Sequence, residues 1–208
     1  MNDNILEIVS DIHQHNIDIA NREIYLYNFN AVEENPGIDY RMAQNFIKNI
    51  RILDSISHDD ILIHMHSIGG SWFDGMAIFD AIKMSSSHIT ILAYGQAESM
   101  SGIVLQAADY RIMSPNAYFM SHYGSQSFDG DYLSYQNIQK FEEKNTETMF
   151  NIYSERCMKG KFFHDLFKKP TTPKVKEYLK NQLKNGDWYI SAQEAVHYGF
   201  ADEVKSFK

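Results

Sequence analysis

The chain has 208 residues, of which 44% are hydrophobic and 22% are charged, with a formal net charge of −8. This composition is typical of a globular protein, and the length suits one domain with a substantial core better than two. The acidic balance argues against nucleic acid or an anionic membrane surface as the main partner.

Cysteine content and the N-terminus indicate the compartment. Cys157 is the only cysteine, so the chain cannot form an internal disulfide, and a reducing environment is expected. The N-terminal segment lacks the basic region and apolar run of a signal peptide, and no stretch approaches the roughly 20 apolar residues that cross a bilayer. We therefore expect a cytoplasmic protein with a single domain over residues 1–208, in which residues 1–21 form an N-terminal leader.

Strand and helix patterns alternate along the first half of the chain. Short apolar, β-branched runs predict strands, and apolar residues at helical spacing predict helices. The expected elements are strands at 22–27, 60–66 and 89–94, helices at 40–55 and about 76–82, and a loop at 32–39. The second strand stops at the Ser-Ile-Gly-Gly-Ser segment of residues 67–71, where two glycines mark a turn.

A polar turn from Tyr94 to Gly102 follows the third strand. The helix after it is apolar nearly all round over residues 103–108, so we expect it to be buried. A further strand at 117–121 leads directly into His122. The strand–helix–strand alternation over residues 22–122 predicts an α/β domain.

The second half of the chain is expected to be mainly helical. A polar loop at 124–130 precedes a long, highly charged helix from 131 to about 157, which we expect at the periphery. The basic segment 159–174 contains two prolines and is expected to form a loop or short turn. The remaining expected elements are a helix at 175–183 ended by Gly186, and a helix that begins at a capping box, Ser191–Glu194, and ends at Gly199.

Several residues have the types that nucleophilic acyl transfer requires. Ser99 supplies a hydroxyl beside a helix start, His122 a base at a strand end, and Asp187 a carboxylate to orient that base. The Gly69-Gly70 pair is a candidate for binding an oxyanion, because a bare glycine backbone can approach a ligand closely, and the Met100 N–H lies beside Ser99.

Each of these residues also has a structural interpretation. A serine in such a turn is usually a helix N-cap, a glycine pair is usually a turn, and a histidine at a strand end is usually satisfied by its neighbours. The segment is not a G-x-S-x-G nucleophile elbow, because Gly95 stands four residues before Ser99. Residue types and order alone therefore leave serine hydrolysis as one of several possibilities.

Ordered sequence blocks add a more specific indication. They are Ser67–Ser71, Gly75–Asp80, Gly95–Met100, Ser114–His122 and Asp187–Gly199, within roughly residues 20 to 205. Their order and separations are similar to those of the proteolytic subunit of the Clp protease family. The resemblance implies a crotonase-like α/β fold, a spiral of β-β-α units with a protruding handle at about 124–170. It also implies assembly into heptameric rings that stack face to face.

The resemblance carries residue roles with it. It makes Ser99 the nucleophile, His122 the general base and Asp187 the orienting carboxylate, with Gly70 and Met100 as oxyanion donors. A serine endopeptidase of this kind acts on polypeptides, needs no metal or cofactor, and has a separate AAA+ unfoldase ring as a possible partner that uses ATP.

Three other functions remain as alternatives. A phage-type capsid maturation protease shares the fold and the chemistry. A catalytically weak ring or scaffold subunit shares only the fold. A crotonase-like acyl-CoA enzyme is less favoured, because such enzymes usually rely on carboxylates rather than on a Ser/His/Asp set.

Several positions depart from the family pattern. They are Ile68 in place of a proline, Glu98 in place of a small residue, Ser101 in place of a glycine, Gly186 in place of a ring-linking arginine, and Leu62 and His64 in place of tyrosines where the family docks the unfoldase. The segment between the handle and Asp187 is also longer than usual. A carboxylate at position 98 favours the protonated form of His122 if it faces that ring, and does little if it faces solvent.

Two further features are interpreted as structural. His64 and His66 share one face of a strand, but no nearby Cys, Asp or His has convincing ligand spacing for a metal. Cys157 stands in a charged helical stretch without a partner motif and is expected to be an inert thiol.

Overall fold

The computed structural model describes residues 3–27, 37–125 and 127–207. The strands are β1 Ile17–Asp18, β2 Glu23–Leu26, β3 Ile61–Ser67, β4 Ile89–Glu98, β5 Tyr110–Met113, β6 Tyr118–Ser121, β7 Trp188–Ser191 and β8 Glu203–Val204. The helices are α1 Asp3–His15, α2 Tyr40–Ile56, α3 Trp72–Lys83, α4 Met100–Leu105, α5 Tyr132–Cys157, α6 Lys161–Phe167, α7 Thr172–Gln182 and α8 Ala192–Tyr198. The loop expected at 32–39 lies outside the described residues as far as residue 36.

A mostly parallel sheet forms the centre of the molecule. Its strand order is β1-β2-β3-β4-β5-β8, and β6 pairs with both β4 and β7. Ile24, Ile63 and Ile91 are partners in register on three neighbouring strands, and each is fully buried. Helices connect β2, β3, β4 and β5 and cover this apolar core, which confirms the expected α/β fold class.

Strand β4 links two parts of the sheet. Its first half pairs with β5 from Thr90 to Ala93, and its last residues pair with β6 from Gln96 to Glu98. The strand ends where β6 runs beside it, so the residues after both strands meet at one edge. This edge carries the candidate site.

The expected turn at Tyr94–Gly102 is wrong in its extent. Strand β4 continues through the exposed Tyr94 and Gly95 to Glu98, and α4 begins at Met100. Tyr94 and Gly95 interrupt the apolar pattern because they lie where the strand faces solvent, and the pairing of β4 with β3 is irregular at this point. The next residues, Gln96 to Glu98, pair with β6. Only Ser99 is left as the connection.

Strand β5 was not expected from the sequence. It contains Arg111, a residue type that rarely becomes buried, yet only 3% of Arg111 is exposed. The guanidinium is neutralised by Asp202, with Nη2 2.6 Å from Oδ1 and Nε 2.9 Å from Oδ2. A partner 91 residues away in sequence therefore allows Arg111 to be buried in this strand.

The basic segment 159–174 is not only a loop. Residues Lys161–Phe167 form α6, in which Phe163 is fully buried. Its ring meets that of Tyr178 edge to face, with centroids 5.3 Å apart. Packing against α7 therefore stabilises a helix that composition alone did not indicate.

The segment expected to be a leader is partly built into the domain. Strand β1 pairs antiparallel with β2, with Ile17 opposite Ile24. The side-chain amide of Asn49 donates to the carbonyl of His15 at 2.6 Å. Helix α1 therefore joins a short hairpin that continues the sheet.

The two halves of helix α5 differ in burial. None of its described residues from 132 to 144 is buried, and Asn145 is the first that is. Its second half packs against the body, where Phe150 and Tyr153 are fully buried or nearly so. No helix within the described parts of the chain combines the length and apolarity required to span a membrane.

Candidate active site

Ser99 occupies the single-residue connection between β4 and α4. Its backbone has φ 52° and ψ −123°, a region that costs a non-glycine residue on the order of 1–3 kcal/mol. The amide of Ser99 donates to the carbonyl of Met120 at 2.9 Å, which fixes the turn against β6. The Ser99 side chain makes no capping hydrogen bond to α4, among the residues described, so the hydroxyl is not an N-cap.

His122 follows β6 directly and reaches Ser99. The parallel pairing of β4 and β6 places Glu98 beside Met120. The residues that follow these two, Ser99 and His122, therefore lie at the same edge of the sheet. Nε2 of His122 is 2.7 Å from Oγ of Ser99. This is a hydrogen-bond distance, at which an unprotonated imidazole nitrogen can accept a hydrogen bond from the serine hydroxyl.

Asp187 approaches the other side of the same ring. Antiparallel pairing of β6 and β7 sets Ser121 opposite Trp188, which brings the flanking His122 and Asp187 together. Oδ1 of Asp187 is 3.5 Å from Nδ1 of His122, an ion-pair distance rather than a short hydrogen bond. The Asp187 side chain is 53% exposed, against 23% for His122.

A glycine pair lies against Ser99 on the opposite side. Gly69 has φ 93° and Gly70 has φ 144°, and both conformations favour glycine. A Cβ atom on Gly69 would lie 2.7 Å from Cβ of Ser99 and 2.8 Å from the Met100 nitrogen. Ile38 clamps this segment, because its amide donates to the Gly69 carbonyl and its carbonyl accepts from the Ser71 amide.

A cavity of about 530 Å³ opens beside the Ser99 hydroxyl. Its polar side comprises Ser99, His122, Gly69 and Gly70, and its apolar floor comprises Trp72, Met100, Ile103 and Met149. Glu142 supplies a carboxylate to the lining, and none of the described lining residues is Lys or Arg. The cavity therefore combines an apolar floor with a polar side that carries the Ser99 hydroxyl.

Glu98 lies close enough to the site to interact electrostatically with it. Burial and the nearby Asp187 carboxylate raise the pKa of Glu98, whereas His122 and His66 oppose this rise. Position 98, where the family pattern has a small residue, thus adds a carboxylate beside the histidine and the aspartate.

Ser101 braces the loop that carries the glycine pair. Its side chain is fully buried, and Oγ lies 2.8 Å from the Ser67 carbonyl and 2.7 Å from the Glu98 carbonyl. The hydroxyl therefore ties the end of β3 to the end of β4. The sequence marked Ser101 only as a departure from a glycine and did not indicate this bridge. Ile38 was missed too, because nothing in its local sequence points to Gly70.

The two features interpreted as structural have partners elsewhere. His64 lies 3.2 Å from a Glu23 oxygen and 3.1 Å from the Tyr94 hydroxyl. Among the described residues, no three His, Cys, Asp or Glu side chains cluster in a way that could hold a metal ion. Burial raises the pKa of the Cys157 thiol, which lies in the core and is correspondingly unreactive.

Comparison with known proteins agrees with this architecture. The family model described as Clp protease matches residues 13–207. Proteolytic subunit 2 of the ATP-dependent Clp protease of Pseudomonas aeruginosa is 26% identical over 170 residues, covering 81% of this chain and 77% of the relative. The Deinococcus radiodurans proteolytic subunit is 26% identical over 170 residues, covering 80% and 76%. Subunit 2 of Tropheryma whipplei is 26% identical over 173 residues, covering 82% and 87%.

Proposed function

This chain belongs to the Clp protease family, and we propose that it is a serine endopeptidase that uses Ser99, His122 and Asp187. One observation carries the proposal: the hydroxyl of Ser99, held at a strained turn beside a cavity, lies 2.7 Å from a ring nitrogen of His122. Strain of this kind persists where the surrounding structure maintains it, and functional sites are where it concentrates.

The chemistry follows from these positions. The Ser99 oxygen attacks the carbonyl carbon of a peptide bond while Nε2 of His122 takes its proton. The tetrahedral intermediate collapses as the imidazolium gives that proton to the departing amine, which leaves an ester on Ser99. Water then attacks the ester, with His122 again accepting and returning a proton, and the acid product leaves. Asp187 stabilises the imidazolium throughout.

The oxyanion of each intermediate would be bound by the backbone N–H groups of Gly70 and Met100. Met100 is the first residue of α4, so its N–H has no acceptor within the helix. The absence of a side chain at Gly69 allows the glycine pair to approach Ser99 closely, which supports the donor role of its neighbour.

Assembly and partners are part of the proposal. The relatives are named as subunits of ATP-dependent proteases, which supports a homo-oligomeric ring, stacked or single, that receives polypeptides from an AAA+ unfoldase. Large apolar side chains exposed at the start of α5, Tyr132 at 71% and Leu133 at 67%, fit a subunit contact. The single cysteine fits a cytoplasmic, reducing setting.

A fluorophosphonate probe tests the chemistry. We expect it to label the wild-type chain at Ser99, and to leave Ser99→Ala unlabelled. Ser125→Ala is a matched control, because Ser125 lines the same cavity and its loss should leave labelling unchanged. A folded wild-type chain that neither reacts nor cleaves peptides would favour a catalytically inactive ring subunit instead.

A further inference from the structure

We propose that Glu98 is a second carboxylate acting on His122, a positioning residue that stabilises the protonated imidazole formed when Ser99 attacks. This inference rests on the proposed function, because an imidazolium forms only if His122 acts as the base. It assigns a role to a residue that the family pattern does not contain.

Strand geometry places Glu98 on the face of the sheet opposite to the core-facing Ala97. Successive side chains of a strand alternate between faces, and the fully buried Ala97 points into the core. Glu98 therefore points to the opposite face. It pairs in register with Met120 of β6, and Met120 pairs with Tyr189 of β7, so these three side chains form one row.

The next row on the same face contains the catalytic candidates. His122 stands two residues after Met120, and Asp187 stands two residues before Tyr189, so both share the face of Glu98. Neighbouring strands are about 4.8 Å apart, and residues two apart on a strand are separated by roughly 6.6 Å. A glutamate side chain can span much of that separation, and the Glu98 carboxylate interacts electrostatically with His122.

The charged and titratable groups around Glu98 come from three elements. They are His66 of β3, His122 after β6, and Asp187 and Tyr189 at β7. Nδ1 of His66 donates to the Tyr94 carbonyl at 2.9 Å, which holds that ring beside β4. Two mutually repelling carboxylates near one imidazole favour its protonation, because the positive charge relieves their repulsion.

The position of Asp187 leaves room for a second carboxylate to stabilise the protonated His122. Asp187 is more than half exposed and 3.5 Å from Nδ1, so solvent screens its interaction with His122. Glu98 is less exposed than Asp187. Its charge therefore acts through a medium of lower effective dielectric constant, where it is less screened.

The test compares Glu98→Gln with Glu155→Gln. Both variants replace one glutamate by its amide, but Glu155 is an exposed residue of α5 that does not line the cavity. Two quantities are measured: the pH midpoint of the acid limb of kcat/KM, and the titration midpoint of the His122 ring followed by NMR. We expect Glu98→Gln to lower both midpoints by roughly 0.5–1 pH unit, and Glu155→Gln to leave both unchanged.

Two further variants separate an effect of charge at position 98 from an effect of side-chain shape. Glu98→Asp keeps the charge and should restore most of the wild-type midpoint. Without the Asp187 carboxylate, catalysis should depend more on Glu98. Adding Glu98→Gln to the Asp187→Asn variant should therefore lower kcat by a larger factor than adding it to the wild type. Circular dichroism and native mass verify that each variant is folded, and Glu98→Ala replaces Glu98→Gln if the latter does not fold.

The outcomes distinguish the two proposals. Unchanged midpoints in a folded Glu98→Gln protein overturn the role of Glu98, even if peptide cleavage is normal. A change confined to KM, with both midpoints retained, also overturns it and makes Glu98 a substrate contact. A shifted NMR midpoint in a chain that never reacts with a fluorophosphonate supports the electrostatic contact but removes its catalytic purpose, because the proposed function has then failed.

Discussion

Oγ of Ser99 lies 2.7 Å from Nε2 of His122, although the two residues are 23 positions apart. The contact depends on the pairing of the last residues of β4 with β6, whose ends turn toward each other at one edge of the sheet. Backbone register, rather than local sequence, therefore brings hydroxyl and imidazole together. Substitutions at this contact, or in the backbone that holds it, should accordingly change activity.

Replacing Ser99 separates catalysis from backbone strain. Ser99→Ala and Ser99→Gly should each lower peptidase activity by at least about 10³-fold, because both remove the nucleophile. Glycine tolerates φ 52° whereas alanine does not, so Ser99→Gly should unfold in urea with a free energy about 1 kcal/mol higher than Ser99→Ala. Equal stabilities would argue that the turn is not strained.

Peptidase activity should fall as the pH is lowered, because a protonated His122 cannot accept the Ser99 proton. The measurement is kcat/KM for a short peptide between about pH 5 and pH 8, the interval in which histidine usually titrates. A rate that stays flat over this interval would count against His122 as the general base.

Gly69→Ala should abolish labelling of Ser99 by a fluorophosphonate. Its Cβ would lie 2.7 Å from the Ser99 Cβ, and the backbone at φ 93° disfavours any side chain. Gly124→Ala is a useful comparison, because Gly124 also has a positive φ but nothing lies within 4 Å of its added Cβ. Normal labelling of Gly69→Ala would show that the segment can move away from Ser99.

Ser101→Ala should lower the free energy of unfolding by about 1–3 kcal/mol, since it removes the one hydroxyl proton that the neighbouring carbonyls of Ser67 and Glu98 can accept. Activity should fall as well, because the same hydroxyl links the glycine loop to the serine turn. Urea unfolding and peptide cleavage measure the two effects. Ser134→Ala is a control on the exposed start of α5, and it should leave activity unchanged.

Asp202→Asn should destabilise the fold by about 3 kcal/mol at neutral pH, because Arg111 would remain charged and buried. Burial tends to raise the pKa of Asp202, but hydrogen bonds and the charge of Arg111 outweigh it and lower the pKa. A lowered pKa stabilises the fold above the unfolded-state value, and this contribution is lost as pH falls through the folded-state value. The unfolding free energy of the variant, measured from neutral to acid pH, should therefore decline less steeply than that of the wild type.

Local sequence patterns were sufficient for the elements that depend on local chemistry. The apolar spacing predicted α2 closely, although it missed the first turn of α3. The Ser191 side chain and the Glu194 carboxylate form the capping box that their spacing indicated. Gly199 ends α8 with φ 88°, as a glycine at that position suggested. The ordered blocks around Ser99, His122 and Asp187 likewise pointed to the family without any coordinates.

The tertiary structure alone decided how distant segments meet. Strand β4 continues past the exposed Tyr94 and Gly95 because β6 pairs with its last residues, and β5 can bury Arg111 only because Asp202 neutralises it. The face shared by Glu98, His122 and Asp187 likewise follows from the register of β4, β6 and β7. Hydrophobic periodicity records which side of its own element a residue occupies, whereas strand pairing is set by contacts between residues far apart in the chain. For that reason the sequence determined which residues were candidates, and only the fold determined which of them touch.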